Sequence, residues 1–158
     1  MKFISFNHDN SEKFGIIENN LITDLTGKID GALSLKELIK IKKIKEAKEY
    51  AKSNPGSIKP DEIKYSPLIP NPGKIICVGL NYSEHVKETN RTVEENPVIF
   101  HRFPESQTAH MQAIQRPTVS ESLDFEGEMA VVMDEGGKHI KPEDALKHIV
   151  GFSCYNES

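Results

Sequence analysis

The chain has 158 residues, with 20 Lys and Arg against 24 Asp and Glu, a net charge of −4 and a hydrophobic fraction of 37%. That length carries one domain, or one domain with a small appendage, and the ordinary charged fraction of 28% excludes global disorder. A sequence pI of 5.9 removes the broad attraction that nucleic acid or an anionic membrane surface requires, and no apolar run reaches the ~18 residues of a spanning helix.

The N-terminal stretch MKFISFNHDN has no apolar signal core, and no internal repeat or low-complexity tract follows it. Cys77 and Cys154 are too few for a disulfide scaffold and wrongly spaced for zinc. Both read as reduced thiols of a cytoplasmic protein. The first 25 residues read as short strands: KFISF (2–6), KFGII (13–17) and LITDL (21–25). The last two meet at Glu18-Asn19-Asn20, where the tolerance of asparagine for positive φ suits a tight hairpin. A helix is expected next, opened by a capping box of Ser34 and Glu37. Leu35, Leu38, Ile41, Ile44 and Ala47 recur at every third position and give it one apolar stripe. Lys36, Lys40, Lys42, Lys43, Lys45 and Lys48 fill the rest, and a solvated face explains them better than an anionic partner does.

Residues 53–73 carry five prolines and two glycines and read as an extended connector rather than an element. The domain division this gives is 1–60, a Pro-rich connector at 61–71, and a second domain at 72–158. In that second part KIICVGL (74–80), PVIFHRF (97–103), MAVVM (129–133) and IVGFSCY (149–155) read as strands. Their continuous apolar runs predict burial on both faces. Residues 142–148 read as a short helix with Pro142 near its start. The second part is therefore mostly β, and the fold class is α+β.

Three clusters carry possible chemistry. Asp124-Phe125-Glu126-Gly127-Glu128 runs into an apolar strand, and residues two apart on a strand share a face. Crowded carboxylates repel unless a cation neutralises them, and an all-oxygen set suits Mg²⁺, Mn²⁺ or Ca²⁺ rather than zinc. An exposed edge with alternating acids accounts for the same spacing. Beyond the strand ending at Gly79, His85 and Glu88 stand three apart, so on a helix they are neighbours. A carboxylate beside an imidazole fixes its tautomer and raises its basicity, as a general base needs, although a surface His–Glu pair looks the same. Arg102, before Phe103-Pro104, suits a substrate carboxylate or enolate, or else a structural ion pair. The other histidines show no ligand spacing, and no P-loop, dinucleotide fingerprint, nucleophile elbow or zincin motif is present.

Taken in order, KIICVGLNYSEHVKE, the PVIF strand, LDFEGEMAVVM and HIVGFSCYNES resemble the fumarylacetoacetate hydrolase family from about Pro72 onward. The first 60 residues look like the small leading domain of many prokaryotic members. The resemblance implies a small N-terminal α/β appendage followed by a mostly β, mixed β-roll or barrel that is incomplete here. It implies a divalent cation, Mg²⁺ ahead of Mn²⁺ or Ca²⁺, held by Glu126, Glu128 and Glu157. It also implies His85 and Glu88 as base and helper, with Arg102 and Tyr82 holding a small dicarboxylic or 2-oxo acid. The activity implied is hydrolysis of a carbon–carbon bond in a 2,4-dioxo acid, of the kind met in aromatic-compound catabolism. Isomerisation or decarboxylation of a hydroxy-diene-dioate or oxaloacetate on the same site is the alternative. Two positions depart from the pattern: Glu157 where many members have Asp, and Arg102 where many have Lys. Relatives continue past the position of Ser158, so the resemblance implies a truncated, inactive piece of a longer, homodimeric enzyme. No nucleic acid or membrane partner is expected.

Overall fold

The computed structural model describes residues 1–88 and 96–158, the side chains of residues 85 and 88 excepted. Three strands open the chain: β1 (Lys2–His8), β2 (Ser11–Glu18) and β3 (Leu21–Asp24). Both hairpin turns are made by pairs of left-handed residues, Asp9 and Asn10 (φ 52° and 56°) and Asn19 and Asn20 (φ 51° and 61°). Two successive positive φ values match the twist of the flanking strands, and Asn and Asp tolerate them. The two-residue loops then set the register, with His8 opposite Ser11 and Glu18 opposite Leu21. At Gly15 an added Cβ would lie 2.2 Å from the Thr23 carbonyl oxygen, so only glycine lets β2 lie against β3 there.

The expected single helix is two. α1 (Leu35–Lys40) starts as predicted, with the Ser34 hydroxyl accepting from the Glu37 N–H. The Glu37 carboxylate accepts from Leu33 N–H instead of closing the reciprocal bond to Ser34. At the other end Lys42 is left-handed (φ 59°), Lys42 N–H bonds the Ile39 carbonyl and Lys43 N–H bonds the Leu38 carbonyl. That is the double-bonded stop usually made with glycine. α2 (Ile44–Ser53) follows. The break has a geometric cause. Apolar residues at every third position drift around a helix by about 60° per repeat, so one long stripe would turn away from the sheet. Two short helices each bury their own set: Leu35, Leu38 and Ile39, then Ala47 and Ala51.

These join Phe14, Ile16, Leu25, Ile29 and Ala32 in one core. The proline-rich stretch also departs from expectation. It contains β4 (Lys64–Tyr65), which pairs with β1 at Phe6 and Asn7, and its Leu68 and Ile69 pack against the core. Prolines at 60 and 67 flank that short strand without interrupting its bonds. The sheet order is β3-β2-β1-β4.

Further along, β5 (Ile75–Gly79) pairs antiparallel with β6 (Val98–Arg102), and β7 (Gly127–Met133) pairs antiparallel with β8 (Ile149–Asn156). A six-residue helix, α3 (Ser83–Glu88), follows β5, and residues 142–148 form a 3-10 helix. The predicted burial on both faces is not met. Burial alternates along each ribbon, and Ile76, Met129 and Phe152 on the outer faces are each 60% exposed. The sheets do not close on one another, and no second layer covers those faces among the described residues. The architecture is α+β and mostly β beyond residue 74. No helix among the described residues is long and apolar enough to cross a membrane.

One attachment positions the site. Val132 and Val150, near one end of the β7–β8 ribbon, pack against the N-terminal core, and Lys42 pairs with Glu135 at 2.7 Å just beyond. The opposite end of that ribbon carries Glu126, Glu128 and Glu157.

Within the N-terminal sheet, Lys13 Nζ lies 2.7 Å from Asp24 Oδ2, and Thr26 N–H donates to Asp24 Oδ1 at 2.8 Å. Burial raises the Asp24 pKa, but the Lys13 and Thr26 bonds outweigh it and leave the carboxyl below its usual 3.8. A carboxyl depressed in the folded state stabilises above its unfolded pKa, and that stability is lost as the pH falls through the folded value. Asp24→Asn should therefore cost about 1 kcal/mol at neutral pH, the size of one partly exposed charged bond. Urea melts at pH 7 and pH 2.5 check this: the two proteins should converge in acid. An undiminished difference there would contradict the assignment.

Candidate active site

The site is built from four strand ends. The β7–β8 ladder runs one step past its last pair, Gly127 with Asn156. Glu126 N–H donates to Asn156 Oδ1 at 2.7 Å, and Glu157 N–H donates to the Glu126 carbonyl at 2.9 Å. These bonds set the acidic residues of both strand ends side by side. Glu128 lies opposite Tyr155 on the half-buried face of the ribbon. The shared-face spacing does not extend to Asp124. The strand begins at Gly127, and Asp124 lies before it with its carboxylate accepting from Phe125 N–H at 2.8 Å.

Arg102 is the last residue of β6, and its guanidinium reaches across to the end of β8. Its Nε donates to Glu157 Oε1, and its Nη2 meets the same oxygen. The Glu157 side chain is only 10% exposed and that of Arg102 40%. A carboxylate that far out of water needs a counter-charge, and Arg102 provides it. The guanidinium also lies 5.4 Å from the Phe100 ring centroid, within cation–π range.

Tyr82 enters from the β5–α3 turn. That turn passes through Leu80 in the left-handed region (φ 53°), a conformation disfavoured for a branched apolar residue. The Glu128 carboxylate next to the Tyr82 phenol pushes its pKa up, as a hydrogen-bond acceptor first and through its charge second. Cys77, mid-strand in β5, has its thiol pushed up by burial first and then by the charge of Glu157, with Arg102 partly offsetting and Glu128 adding. Tyr155 is raised by burial, then by Cys77 and Glu157. The half-buried faces of the two ribbons thus come together at Arg102 and Glu157, with Cys77 and Tyr155 within reach of those charges and Tyr82 beside Glu128.

Cys77 and Tyr155 escaped sequence reasoning. Both lie in segments that carry the resemblance, but neither is given a role there, and the strand registers are what turn them inward. The α3 backbone carries His85 and Glu88 directly after Tyr82, but their side chains lie outside the described residues. The donor chemistry of Glu126, Glu128 and Glu157 fits a hard divalent cation. Their present arrangement does not hold one. Among the described residues no three His, Cys, Asp or Glu side chains converge closely enough for an ion. Glu157 faces Arg102 and Glu128 faces Tyr82.

The family model described as fumarylacetoacetate (FAA) hydrolase C-terminal matches residues 74–158, more than half of the chain. The chain belongs to the fumarylacetoacetate hydrolase family. The resemblance read from the sequence is thereby borne out. Among curated relatives, the mitochondrial oxaloacetate tautomerase fahd2 of Xenopus laevis is 38% identical over 114 residues, covering 72% of this chain and 36% of that protein. The mitochondrial oxaloacetate tautomerase FAHD2A of Homo sapiens is 39% identical over 96 residues, covering 61% of this chain and 31% of that protein. Among solved structures, fumarylacetoacetate hydrolase from psychrophilic Exiguobacterium antarcticum superposes with a TM-score of 0.80 at 28% identity, covering 99% of this chain and 55% of that one. A maleylpyruvate hydrolase from Sphingobium, in complex with manganese(II) and pyruvate, has a TM-score of 0.79 at 19% identity, covering 99% and 58%. That likeness shows the shared fold. The chain spans about a third of the length of the curated relatives it matches.

The inward placement of Cys77 is open to a direct check. Thiolate is the species that alkylates, so a half-buried thiol with a raised pKa, such as Cys77, reacts more slowly than an exposed one. Cys154 is exposed on the outer face of β8. Iodoacetamide at pH 7.5, followed by peptide mass spectrometry, should label Cys154 at least about tenfold faster than Cys77. Equal rates, or Cys77 first, would remove Cys77 from the inner face.

Proposed function

We propose that this chain carries the cation- and substrate-holding strand ends of an enzyme that hydrolyses a carbon–carbon bond in a small 2,4-dioxo acid. The observation that carries the proposal is the pairing of Arg102 with Glu157 and of Tyr82 with Glu128 at neighbouring strand ends beside Glu126. One cationic fork, one phenol and three carboxylates suit a 2-oxo acid held with a divalent cation. The manganese and pyruvate bound to the maleylpyruvate hydrolase neighbour are in keeping with that class of ligand. Glu126, Glu128 and Glu157 would hold the cation, Mg²⁺ or Mn²⁺, once their carboxylates turn to a common point. The bound cation supplies Lewis acidity toward the 2-oxo carboxylate.

The chain's own residues do the rest. Arg102 keeps outer N–H groups for the substrate carboxylate, in the fork geometry that carboxylates accept. Tyr82 donates from its hydroxyl beside Glu128. His85, oriented by Glu88, takes a proton from water, and the hydroxide oxygen bonds to the 4-carbonyl carbon. The bond between carbons 3 and 4 then breaks, its electron pair passes to carbon 3, and the imidazolium returns the proton there. Two carboxylic acids leave.

A second reading, keto–enol tautomerisation of oxaloacetate, rests on the identity of 38–39% to oxaloacetate tautomerases. It needs the same base and cation but no water. A third reading, in which these 158 residues do not turn over substrate by themselves, rests on the uncovered outer faces of both ribbons.

Proton NMR of acetylpyruvate and oxaloacetate with the chain and Mg²⁺ separates the three. Two acids per substrate mean hydrolysis, enol–keto exchange without new acids means tautomerisation, and neither signal means the third. Glu128→Ala should weaken Mn²⁺ by at least about tenfold in calorimetry, because a hard ion with few protein ligands cannot spare one. Unchanged affinity would restore the exposed-edge explanation of the acidic run. His85→Ala should lower turnover by roughly 10²–10⁴-fold with Mn²⁺ affinity retained, the usual span for a general base. Near-normal turnover would take His85 out of the mechanism, and loss of the ion would make it a ligand.

A further inference from the structure

We infer that Arg102 is a positioning residue for Glu157: its guanidinium edge pins one carboxylate oxygen and leaves the other to the cation. The inference rests on the cation reading above and goes beyond it in assigning an outer-sphere role.

Both N–H groups of one guanidinium edge, Nε and Nη2, converge on the single oxygen Oε1 of Glu157. Oε2 is not part of that pair. A glutamate has three side-chain torsions, so a ligand at the end of a strand holds its direction only if something fixes it. Burial alone does not fix it, whereas a two-point charged bond does. The backbone is tied as well, through Glu157 N–H to the Glu126 carbonyl at 2.9 Å. Glu157 is therefore held at its main chain by β7 and at its carboxylate by β6, although it follows β8 in sequence.

Arg102 is itself fixed from below by the Phe100 ring at 5.4 Å. Its side chain is 40% exposed against 10% for Glu157, so the cationic end reaches solvent while the carboxylate does not. That asymmetry suits a residue that holds a ligand from the outer sphere and competes with no ion for the inner one. A lysine at this position would give one point contact in place of the fork.

The opposite relation is equally specific. If Arg102 and the cation were alternative partners of the same carboxylate, removing Arg102 would tighten the ion. The sign of the effect therefore decides. Calorimetry with Mn²⁺ on the 158-residue chain should show about 10- to 100-fold weaker binding for Arg102→Gln, the usual cost of losing an outer-sphere partner. The same substitution should add nothing in a Glu157→Gln background, which a general loss of structure would not reproduce. Arg102→Lys should fall between wild type and Arg102→Gln. Should Arg102→Gln fail to fold, Mg²⁺ titration of the wild type by ¹⁵N NMR gives a second readout. The Arg102 Nε–H resonance should stay protected from solvent exchange as the ion binds. Unchanged or tighter Mn²⁺ binding in Arg102→Gln, or release of that N–H to solvent, overturns the inference while the cation reading stands. Absence of Mn²⁺ binding in wild type and in every variant overturns both.

Discussion

The charged bond from Arg102 to Glu157 joins two ribbons that share no strand pairing. Without it, the approach of Tyr82 to Glu128 and the half-buried faces are what link the β5–β6 ribbon to the acidic end of the β7–β8 ribbon among the described residues. A pair with one partner so far out of water is costly to break on one side, since the remaining charge is stranded. The link is thus more than an ornament of the site. It ties together the half-buried faces that the strand registers create, with Cys77 and Tyr155 on those faces and Tyr82 beside Glu128.

Stability and chemistry are segregated along the chain. The large fully buried side chains, Phe6, Phe14, Ile16, Ile22, Leu25, Ile29 and Leu38, all belong to the N-terminal sheet, α1 and the segment that joins them. Beyond residue 70, Val86 and Ala109 are the buried hydrophobic side chains among the described residues. The site therefore stands on strands with little core of their own. It borrows rigidity from Val132 and Val150 against the N-terminal core at one end, and from Arg102 and Glu157 at the other. A disturbance of the N-terminal core should reach the carboxylates through β7 and β8, because a paired ribbon transmits displacement along its ladder.

Much of this was legible where the physics is local. Asn19-Asn20 announces a hairpin because few residues adopt two left-handed conformations in succession, and Ser34 announces a helix start through its hydroxyl. The apolar runs at 74–80, 97–103, 129–133 and 149–155 each became a strand. Non-local facts were hidden. The helix break at Lys42 depends on where the sheet lies, and a strand as short as Lys64–Tyr65 exists only because the β1 edge is there to pair with. Apolar runs also report what a strand would bury, and the outer faces of these ribbons are exposed. In the site, Glu126, Glu128, His85 and Glu88 stand out by spacing and by resemblance, Arg102 by its place before Phe103-Pro104, and Glu157 and Tyr82 by resemblance. An ion pair was one of the two readings of Arg102, but its partner Glu157, 55 residues away, has no trace in either. Cys77 and Tyr155 needed the strand registers, which hydrophobic pattern alone does not fix.

The central claim is that carboxylates from the ends of β7 and β8 gather around one divalent cation beside an arginine already in place. A crystal of the chain soaked in Mn²⁺ and pyruvate, with data collected at the manganese edge, tests this most directly. The account predicts one anomalous peak bonded to Glu126, Glu128 and Glu157, with Oε1 of Glu157 still on Arg102 and pyruvate on the open side. A peak elsewhere, or no peak between these strand ends at saturating Mn²⁺, would contradict it.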